Sequence, residues 1–442
     1  MINVFSKLFM LLALVLLFET SFSQKRTVTA ANMSASKSFV SASQHQFFIS
    51  KRPYQYIGAN YWYGGLIGND EKGKQRIIKE LDFLSLKGVN NLRVLAGAEG
   101  TGQINGLLRV EPALQPQAGV FNLDLLKGLD FLLVEMGKRN MKAVIYLSNN
   151  WEWSGGFLQY LNWSGLIADS ELKRKLSWDE FRDYDSKFYQ CKPCHELYDA
   201  QIKLIVNRTN TITGKKYKDD AAIMAWELAN EPRPMRSAAI PYFTKWAKNT
   251  AAFIKSLDKN HLVTTGMEGE ISSENMEVFS DIHSDKNIDY ATIHVWPKNW
   301  GWFKDTAIAQ NMNDIIKLSD LYIDKHAAVM QRIQKPLVIE EFGLPRDNHS
   351  FAVTSTTGLR NKYYESVFNK LLIKSNQKTM IAGCNFWAFS GNGRPSYTQL
   401  FWKQGDDLLG DPPVEEQGLN SVFDTDLSTW KLIESFTKKI KQ

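Results

Sequence analysis

Ala225-Trp226-Glu227-Leu228-Ala229-Asn230-Glu231-Pro232 is an apolar run that ends in an amide, a carboxylate and a proline. It is too short for an ordinary helix, and the proline stops it, so it reads as a strand buried on both faces. Pro336-Leu337-Val338-Ile339-Glu340-Glu341-Phe342-Gly343 repeats the design, with a carboxylate pair at its end. Strands of this kind belong to parallel sheets whose two faces are both covered.

Outward from these two runs, similar stretches recur at 56–60, 91–95, 142–147, 223–229, 262–266, 290–294, 336–341 and 381–387. Between them lie segments such as 73–87, 123–139, 240–257 and 313–332, where apolar residues return every three or four positions, as on one helix face. Eight strands alternating with helices predict a closed (β/α)8 TIM barrel, an α/β fold in one domain. The structural competitor is an open doubly wound sheet. It lacks support because Gly100 and Gly102 are not followed by a third glycine at the spacing of a dinucleotide-binding turn, where Asn105 stands. A barrel of this type needs about 250 residues. The surplus is assigned to long βα loops over 148–222 and 388–430, both rich in Trp, Tyr, Asn and Gly.

The 442-residue chain carries a formal charge of only +6, with lysines scattered rather than clustered, so neither a nucleic-acid surface nor an anionic-membrane surface is expected. Its 13 Trp, many beside Gly, Asn or Pro, suit a surface that stacks on flat ligands. Lys7, the apolar run 8–18 and the small-residue pattern Ser21-Phe22-Ser23 make residues 1–23 a signal peptide. Residues 24–43 read as a polar leader and 44–442 as the catalytic domain. A secreted product, extracellular or periplasmic, with no membrane anchor after signal removal is expected, acting as a monomer. Three cysteines cannot be a disulfide framework. Cys191-Lys192-Pro193-Cys194-His195 fits either a c-type haem attachment or a local disulfide or thiol pair, and Cys384 reads as a buried small hydrophobe.

Strand ends bring Glu231 and Glu341 to one rim of the barrel. Two carboxyls facing one cleft are what glycosidic cleavage requires, one to protonate the leaving oxygen and one to attack the anomeric carbon. Arg93 at the second strand would place a fixed cation beside the nucleophile. Asn230 could hold the sugar 2-hydroxyl, His294 at the sixth strand could donate to the sugar or to the acid, and Trp387 at the eighth could floor the cleavage point. Glu227 reads as a partner inside the barrel, and Glu268 and Glu270 are minor candidates for the groove. Trp151, Trp153, Trp296, Trp300 and Trp302 fall in loops where rings can stack on sugars. No His-x-x-x-His pair or dense ligand cluster asks for a metal, and no cofactor is expected.

Taken together, Arg93, Asn230-Glu231-Pro232, His294, Glu341-Phe342-Gly343 and Trp387 resemble glycoside hydrolase family 5, over residues 56–430. Within it, Gly58-Ala59-Asn60-Tyr61-Trp62, Ser148-Asn149-Asn150-Trp151 and His294-Val295-Trp296-Pro297 resemble the β-mannanases. The resemblance implies Glu231 as acid/base, Glu341 rather than Glu340 as nucleophile, Trp62, Trp151 and Trp296 in supporting roles, and β-1,4-mannan as the partner substrate. It departs at Trp296, where many members carry a tyrosine whose hydroxyl contacts the nucleophile. Either the indole N–H takes over or the local alignment shifts. A related β-1,4-glucanase, and a non-catalytic glycan-binding protein on the same barrel, are the alternatives.

Overall fold

In a computed structural model, which describes residues 38–441 except 376, 377 and 380, eight strands run parallel around a barrel. They are β1 (Tyr56–Asn60), β2 (Asn91–Leu95), β3 (Lys142–Tyr146), β4 (Ile223–Glu227), β5 (Leu262–Thr264), β6 (Ala291–Val295), β7 (Leu337–Phe342) and β8 (Gly383–Phe386). The hydrogen-bonded order is β5-β4-β3-β2-β1-β8-β7-β6. The remaining edge is closed by the Asp289 N–H donating to Val263 O at 2.8 Å and the His294 N–H to Glu268 O at 3.1 Å. All residues of these strands are buried, which is why each reads as a continuous apolar run rather than an alternating one.

Helices α1 (Glu71–Leu86), α2 (Leu126–Lys138), α3 (Lys192–Val206), α4 (Ile240–Leu257), α5 (Met276–His283), α6 (Ile308–Ile333), α7 (Gly358–Leu372) and α8 (Leu427–Lys439) form the outer layer. They supply the crossovers that parallel strands demand. The expected barrel is therefore present.

Three differences from the sequence reading matter. A three-stranded antiparallel sheet, Val40–Ser43, Gln46–Ile49 and Arg52–Tyr54, precedes β1, and its first strand lies inside the stretch read as a polar leader. Its Val40, Phe47 and Tyr54 pack with Tyr56, Val144, Met224, Leu262, Tyr290 and Val338 from the starts and middles of barrel strands. The signal-peptide reading of residues 1–23 lies outside the described residues. Second, the 148–222 segment is largely helical rather than a loop, with helices Gly156–Trp163, Asp169–Lys173 and Trp178–Asp185 ahead of α3. A Ser177–Glu180 capping box starts one of them, a local signal readable in the sequence. Third, Cys191 and Cys194 form a disulfide at the start of α3, so neither sulfur is free for a haem vinyl group. Cys384 is free and buried, as expected.

Among the described residues no helix is long and apolar enough to cross a membrane.

Candidate active site

The barrel interior is layered by charge. Arg93, fully buried on β2, donates through Nε and Nη2 to the two oxygens of Glu227 at 2.9 and 2.5 Å, through Nη2 to Asn230 Oδ1 at 2.7 Å, and through Nη1 to Glu341 Oε1. The Tyr146 ring lies 4.6 Å beneath the guanidinium. Glu227 is thus an interior partner of Arg93, as expected. So is Glu340, whose carboxylate is 3.5 Å from Arg93 Nε.

That second result modifies the simple alternation expected for adjacent strand residues. β7 slips against β6: Ile293 pairs with Ile339, but His294 pairs with Glu341, leaving Glu340 as the extra residue of a bulge. The bulge turns both carboxyls inward, Glu340 into the barrel and Glu341 up to the cleft. Of the two, only Glu341 lines the cleft.

Glu231 comes from the turn after β4. Its φ is 51°, in the left-handed region that a non-glycine residue occupies at a cost of about 1–3 kcal/mol. The turn is pinned by the Glu231 N–H donating to Gly266 O and the Asn230 N–H to Ser148 O, each at 2.9 Å. Both carboxylate oxygens are engaged, Oε2 by the Trp151 indole N–H at 2.5 Å and Oε1 by His294 Nδ1 at 2.7 Å. Glu341 Oε2 accepts the Trp296 indole N–H at 3.0 Å and lies 3.4 Å from His294 Nδ1. The indole N–H of Trp296 therefore makes the contact to Glu341 that the sequence resemblance implies for a tyrosine hydroxyl.

Burial raises both carboxyls. At Glu231 it is opposed by Arg233, the Trp151 N–H and Arg93. At Glu341 it is opposed by Arg93 and reinforced by the charge of Glu231. Two buried carboxyls this close share a proton. The direct guanidinium bond favours the charge on Glu341 and the proton on Glu231. Burial, ahead of the other influences, lowers the His294 pKa to about 4, so the ring is neutral. A protonated Glu231 can donate to its Nδ1, leaving Nε2–H to face Glu340 at 3.7 Å.

Glu231, His294 and Glu341 offer ligand atoms within 4.8 Å of one another, a triad with metal-like spacing. The fit to a cation is poor. Both Glu341 oxygens and Glu231 Oε2 already accept N–H donors from Arg93, Trp296 and Trp151. The adjacent guanidinium repels a further positive charge.

Around this pair lies a cleft of about 420 Å³ lined by Trp151, Trp153, Trp178, Trp296, Trp300 and Trp387, among others. Trp296 and Trp387 meet edge to face at 5.9 Å. Two of the expected aromatics do not line it. Trp302 packs behind Trp300 at 5.1 Å, and Trp62 is fully buried, donating to Gly410 O at 2.9 Å and lying edge-on to Trp153. Trp62 thus backs the cleft wall rather than facing substrate, because it sits in the turn leaving β1 beneath the β8 loop. Asn230 lines the cleft, but its Oδ1 is occupied by Arg93 and its Nδ2 donates to Asn149 Oδ1 at 3.1 Å.

Beyond the carboxyl pair the cleft holds further charged residues, of which Glu152, Arg233 and Glu415 were not singled out from the sequence. Arg233, two positions after Glu231, lies 5.1 Å over the Trp151 ring and forms a two-pronged pair with Glu268 at 2.5 and 2.7 Å. Glu268, a minor candidate beforehand, has its carboxyl pushed up to about 7 by burial. Glu415 arrives on the β8–α8 loop, with one oxygen enclosed and unpartnered among the described residues, and is pushed up to about 8 by burial and then by Asp411 and Glu231. Nothing local in the sequence marks Glu415. Its position depends on Asp411, which accepts from the Gly418, Asn420 and Ser421 backbone N–H groups and so folds the loop.

Residues 37–442 match the family described as GH family 5 beta-mannosidase-like. Mannan endo-1,4-beta-mannosidase 1 of Arabidopsis thaliana is 29% identical over 371 residues, covering 80% of this chain and 82% of the plant protein. The glycoside hydrolase family 5 mannosidase from Rhizomucor miehei superposes with a TM-score of 0.81 at 32% identity, covering 92% of this chain and 98% of that one. A variant of the fungal protein is known in complex with mannosyl-fructose. The endo-beta-1,4-mannanase from Thermotoga petrophila shares the fold, with a TM-score of 0.64 at 23% identity over 88% of this chain and 77% of its own.

Proposed function

The chain belongs to the GH family 5 beta-mannosidase-like glycoside hydrolases, and from that premise we propose that it is a retaining endo-β-1,4-mannanase acting on mannan, glucomannan or galactomannan. The observation that carries the chemistry is the carboxyl pair. An oxygen of Glu231 lies within 4.8 Å of one of Glu341. A direct displacement needs this closeness, about 5–5.5 Å between carboxyl groups, whereas an inverting enzyme leaves about 6.5–9.5 Å for a water.

Glu341, kept anionic by Arg93 and oriented by Trp296, attacks the anomeric carbon while Glu231 gives its proton to the leaving oxygen. Glu231, now a carboxylate, then takes a proton from the water that hydrolyses the mannosyl-enzyme, and configuration is retained. His294 bonds Glu231 and stays neutral, so it passes no net charge to the site. The wall of Trp rings supports a sugar-binding groove.

Linear mannan, glucomannan and carboxymethyl cellulose distinguish the substrates when reducing-sugar release is followed with Glu341→Ala as control. Release from the two mannans alone, lost in the variant, is expected. Activity mainly on the cellulose derivative would transfer the mechanism to a glucanase. Proton NMR should show the β-anomer first, and an α-anomer first would overturn retention.

A second reading is an exo-acting mannosidase on short chains. It is favoured by the higher similarity to the fungal mannosidase, at TM-score 0.81, than to the bacterial endo-mannanase, at 0.64. Product length decides: mixed oligosaccharides from mannan support endo action, mannose alone from the first minutes supports exo action. Export rests on the pattern of residues 1–23 and is tested by fractionating the producing cells.

A further inference from the structure

Glu99 is fully buried beyond the end of β2 and does not line the catalytic cleft. Its carboxylate meets four neutral donors. Oε1 accepts from Ser148 Oγ at 2.9 Å, Gln201 Nε2 at 2.8 Å and the Tyr160 hydroxyl at 3.3 Å, and Oε2 accepts from the Gly156 N–H at 3.1 Å. The Arg109 guanidinium bonds the Glu99 backbone carbonyl at 2.9 Å. Burial, opposed by the four donors, pushes the carboxyl up to about 7. A buried carboxyl held only by neutral groups stabilises a fold poorly. What this arrangement supplies is a fixed point on which four donors converge.

Two of those donors bound one segment. Ser148 and Gly156 stand at the two ends of 148–156, which leaves β3 and enters the helix Gly156–Trp163. The Glu99 backbone grips the same segment, its N–H donating to Ser154 O at 2.7 Å. Gly155, at φ 95°, passes so close that a β-carbon there would lie 1.9 Å from Glu99 O. From within this segment the Trp151 indole N–H reaches Glu231 Oε2 at 2.5 Å. Its main chain also clasps the turn that carries the acid: Ser148 O accepts the Asn230 N–H, and the Asn150 N–H donates to Asn230 O, each at 2.9 Å.

We propose that Glu99 is a positioning residue for the acid/base, fixing segment 148–156 so that the Trp151 N–H stays on Glu231. The proposal rests on the reading of Glu231 as acid/base. Glu99 has no place in the cleft wall and acts through Trp151. The Trp151 bond lowers the Glu231 pKa, so a segment free to drift lets that pKa rise. Loss of the Glu99 charge by itself works the other way, because removing a negative charge lowers the pKa of a nearby carboxyl. The direction of the shift therefore separates positioning from a through-space effect.

The test compares the full chain with Glu99→Ala, Ser148→Ala, Trp151→Phe and the double variant Glu99→Ala/Trp151→Phe. The pH profile of kcat is recorded well below each melting temperature, on the polysaccharide that the parent cleaves fastest. Glu99→Ala should move the alkaline limb to higher pH by about half a unit to one unit, as expected for partial loss of a charge-assisted hydrogen bond. The double variant should show the limb of Trp151→Phe and no further shift. Ser148→Ala removes one donor and leaves the Glu99 carboxylate in place, so it should move the limb the same way by less, and it decides the matter if Glu99→Ala does not fold. A kcat that falls with the limb unmoved, a limb that moves down, or a shift that persists once Trp151 is Phe overturns the proposal. The Trp151 indole N–H resonance, assigned by its loss in Trp151→Phe, separates the two ways of failing. It should move in Glu99→Ala and Ser148→Ala. An unmoved resonance overturns the proposal and leaves the acid/base reading intact. A resonance that moves while Trp151→Phe leaves the limb in place overturns the acid/base reading, and the proposal with it.

Discussion

Trp296 shows what one residue can substitute for. Its indole N–H donates to Glu341 Oε2 at 3.0 Å, the contact that the sequence resemblance implies for a tyrosine hydroxyl. An indole donates only and cannot lose its proton in the working range, so the contact always favours the charged form of Glu341. Trp296→Phe keeps the ring and removes the donor. A hydrogen bond to a charged group is worth about 1.5–3 kcal/mol, so kcat should fall about ten- to a hundredfold with the melting temperature little changed. Steady-state kinetics and a thermal melt check both halves. The pH profile follows from the paired carboxyls. In the proposed double displacement Glu231, raised by burial, acts protonated and Glu341 acts ionised, so activity is expected to fall as pH rises through the Glu231 pKa, with Glu341 setting the acid limb. Trp151 holds the Glu231 pKa down through its N–H. Trp151→Phe should therefore move the alkaline limb of kcat to higher pH, and a limb that stays put or moves down would contradict the assignment. Glu231, Glu341 and Arg93 were legible because each ends or occupies an apolar strand, where a charged residue needs a reason. Trp62 could be read only as supporting, because a tryptophan after a strand end looks the same whether it faces substrate or packs behind the wall.

At the scale of elements, the eight barrel strands were legible to within a few residues because burial on both faces leaves an unbroken apolar run. The bulge in β7 was not. Glu340-Glu341 reads as plain alternation unless the slip against β6 is known, and that slip depends on the neighbouring strand. The three helices ahead of α3 were missed for another reason: they are only 8, 5 and 8 residues long, too short for an apolar stripe to repeat. Asp185, the last residue of helix Trp178–Asp185, is fully buried with neither carboxylate oxygen partnered among the described residues. Burial, reinforced by Glu152 and opposed by Arg233, raises its pKa well above the usual range. The folded chain thus keeps a proton that the unfolded chain releases above about pH 4, so this group costs stability increasingly as pH rises from there up to the folded pKa. Asp185→Asn should melt at the same temperature as the parent near pH 3 and above it at pH 7. A melting difference that is independent of pH would mean the carboxyl has an ionised partner.

For the molecule as a whole, the barrel has a working end and a sealed end, and the seal lies in residues that the sequence hides. The sheet 40–54 has the composition of a polar leader: Val40, Phe47 and Tyr54 are its only members fully inside the apolar cluster. Three such residues, spaced by Ser, Gln and Lys, give no periodic signal, although together they close the barrel below its charged layer. Phe47 stacks on Tyr56 at 6.4 Å and lies edge-on to Tyr290 at 5.2 Å. Tyr54 reaches upward, its hydroxyl 3.5 Å from the Asn91 amide, and β2 carries Arg93 two residues further on. The seal therefore has two tasks, apolar burial for the fold and exclusion of water from beneath Arg93, Glu227 and Glu340. They separate in Phe47→Ala. Loss of a buried aromatic costs about 3–5 kcal/mol, so the melting temperature should drop by several degrees. If the hole stays dry, kcat well below the melt changes little. If water enters, it relieves the burial that raises Glu341, which outweighs the weakened hold of Arg93, and the acid limb of the pH profile moves to lower pH. An unchanged melting temperature would mean that the sheet only rests against the barrel, and the fold would then begin at β1.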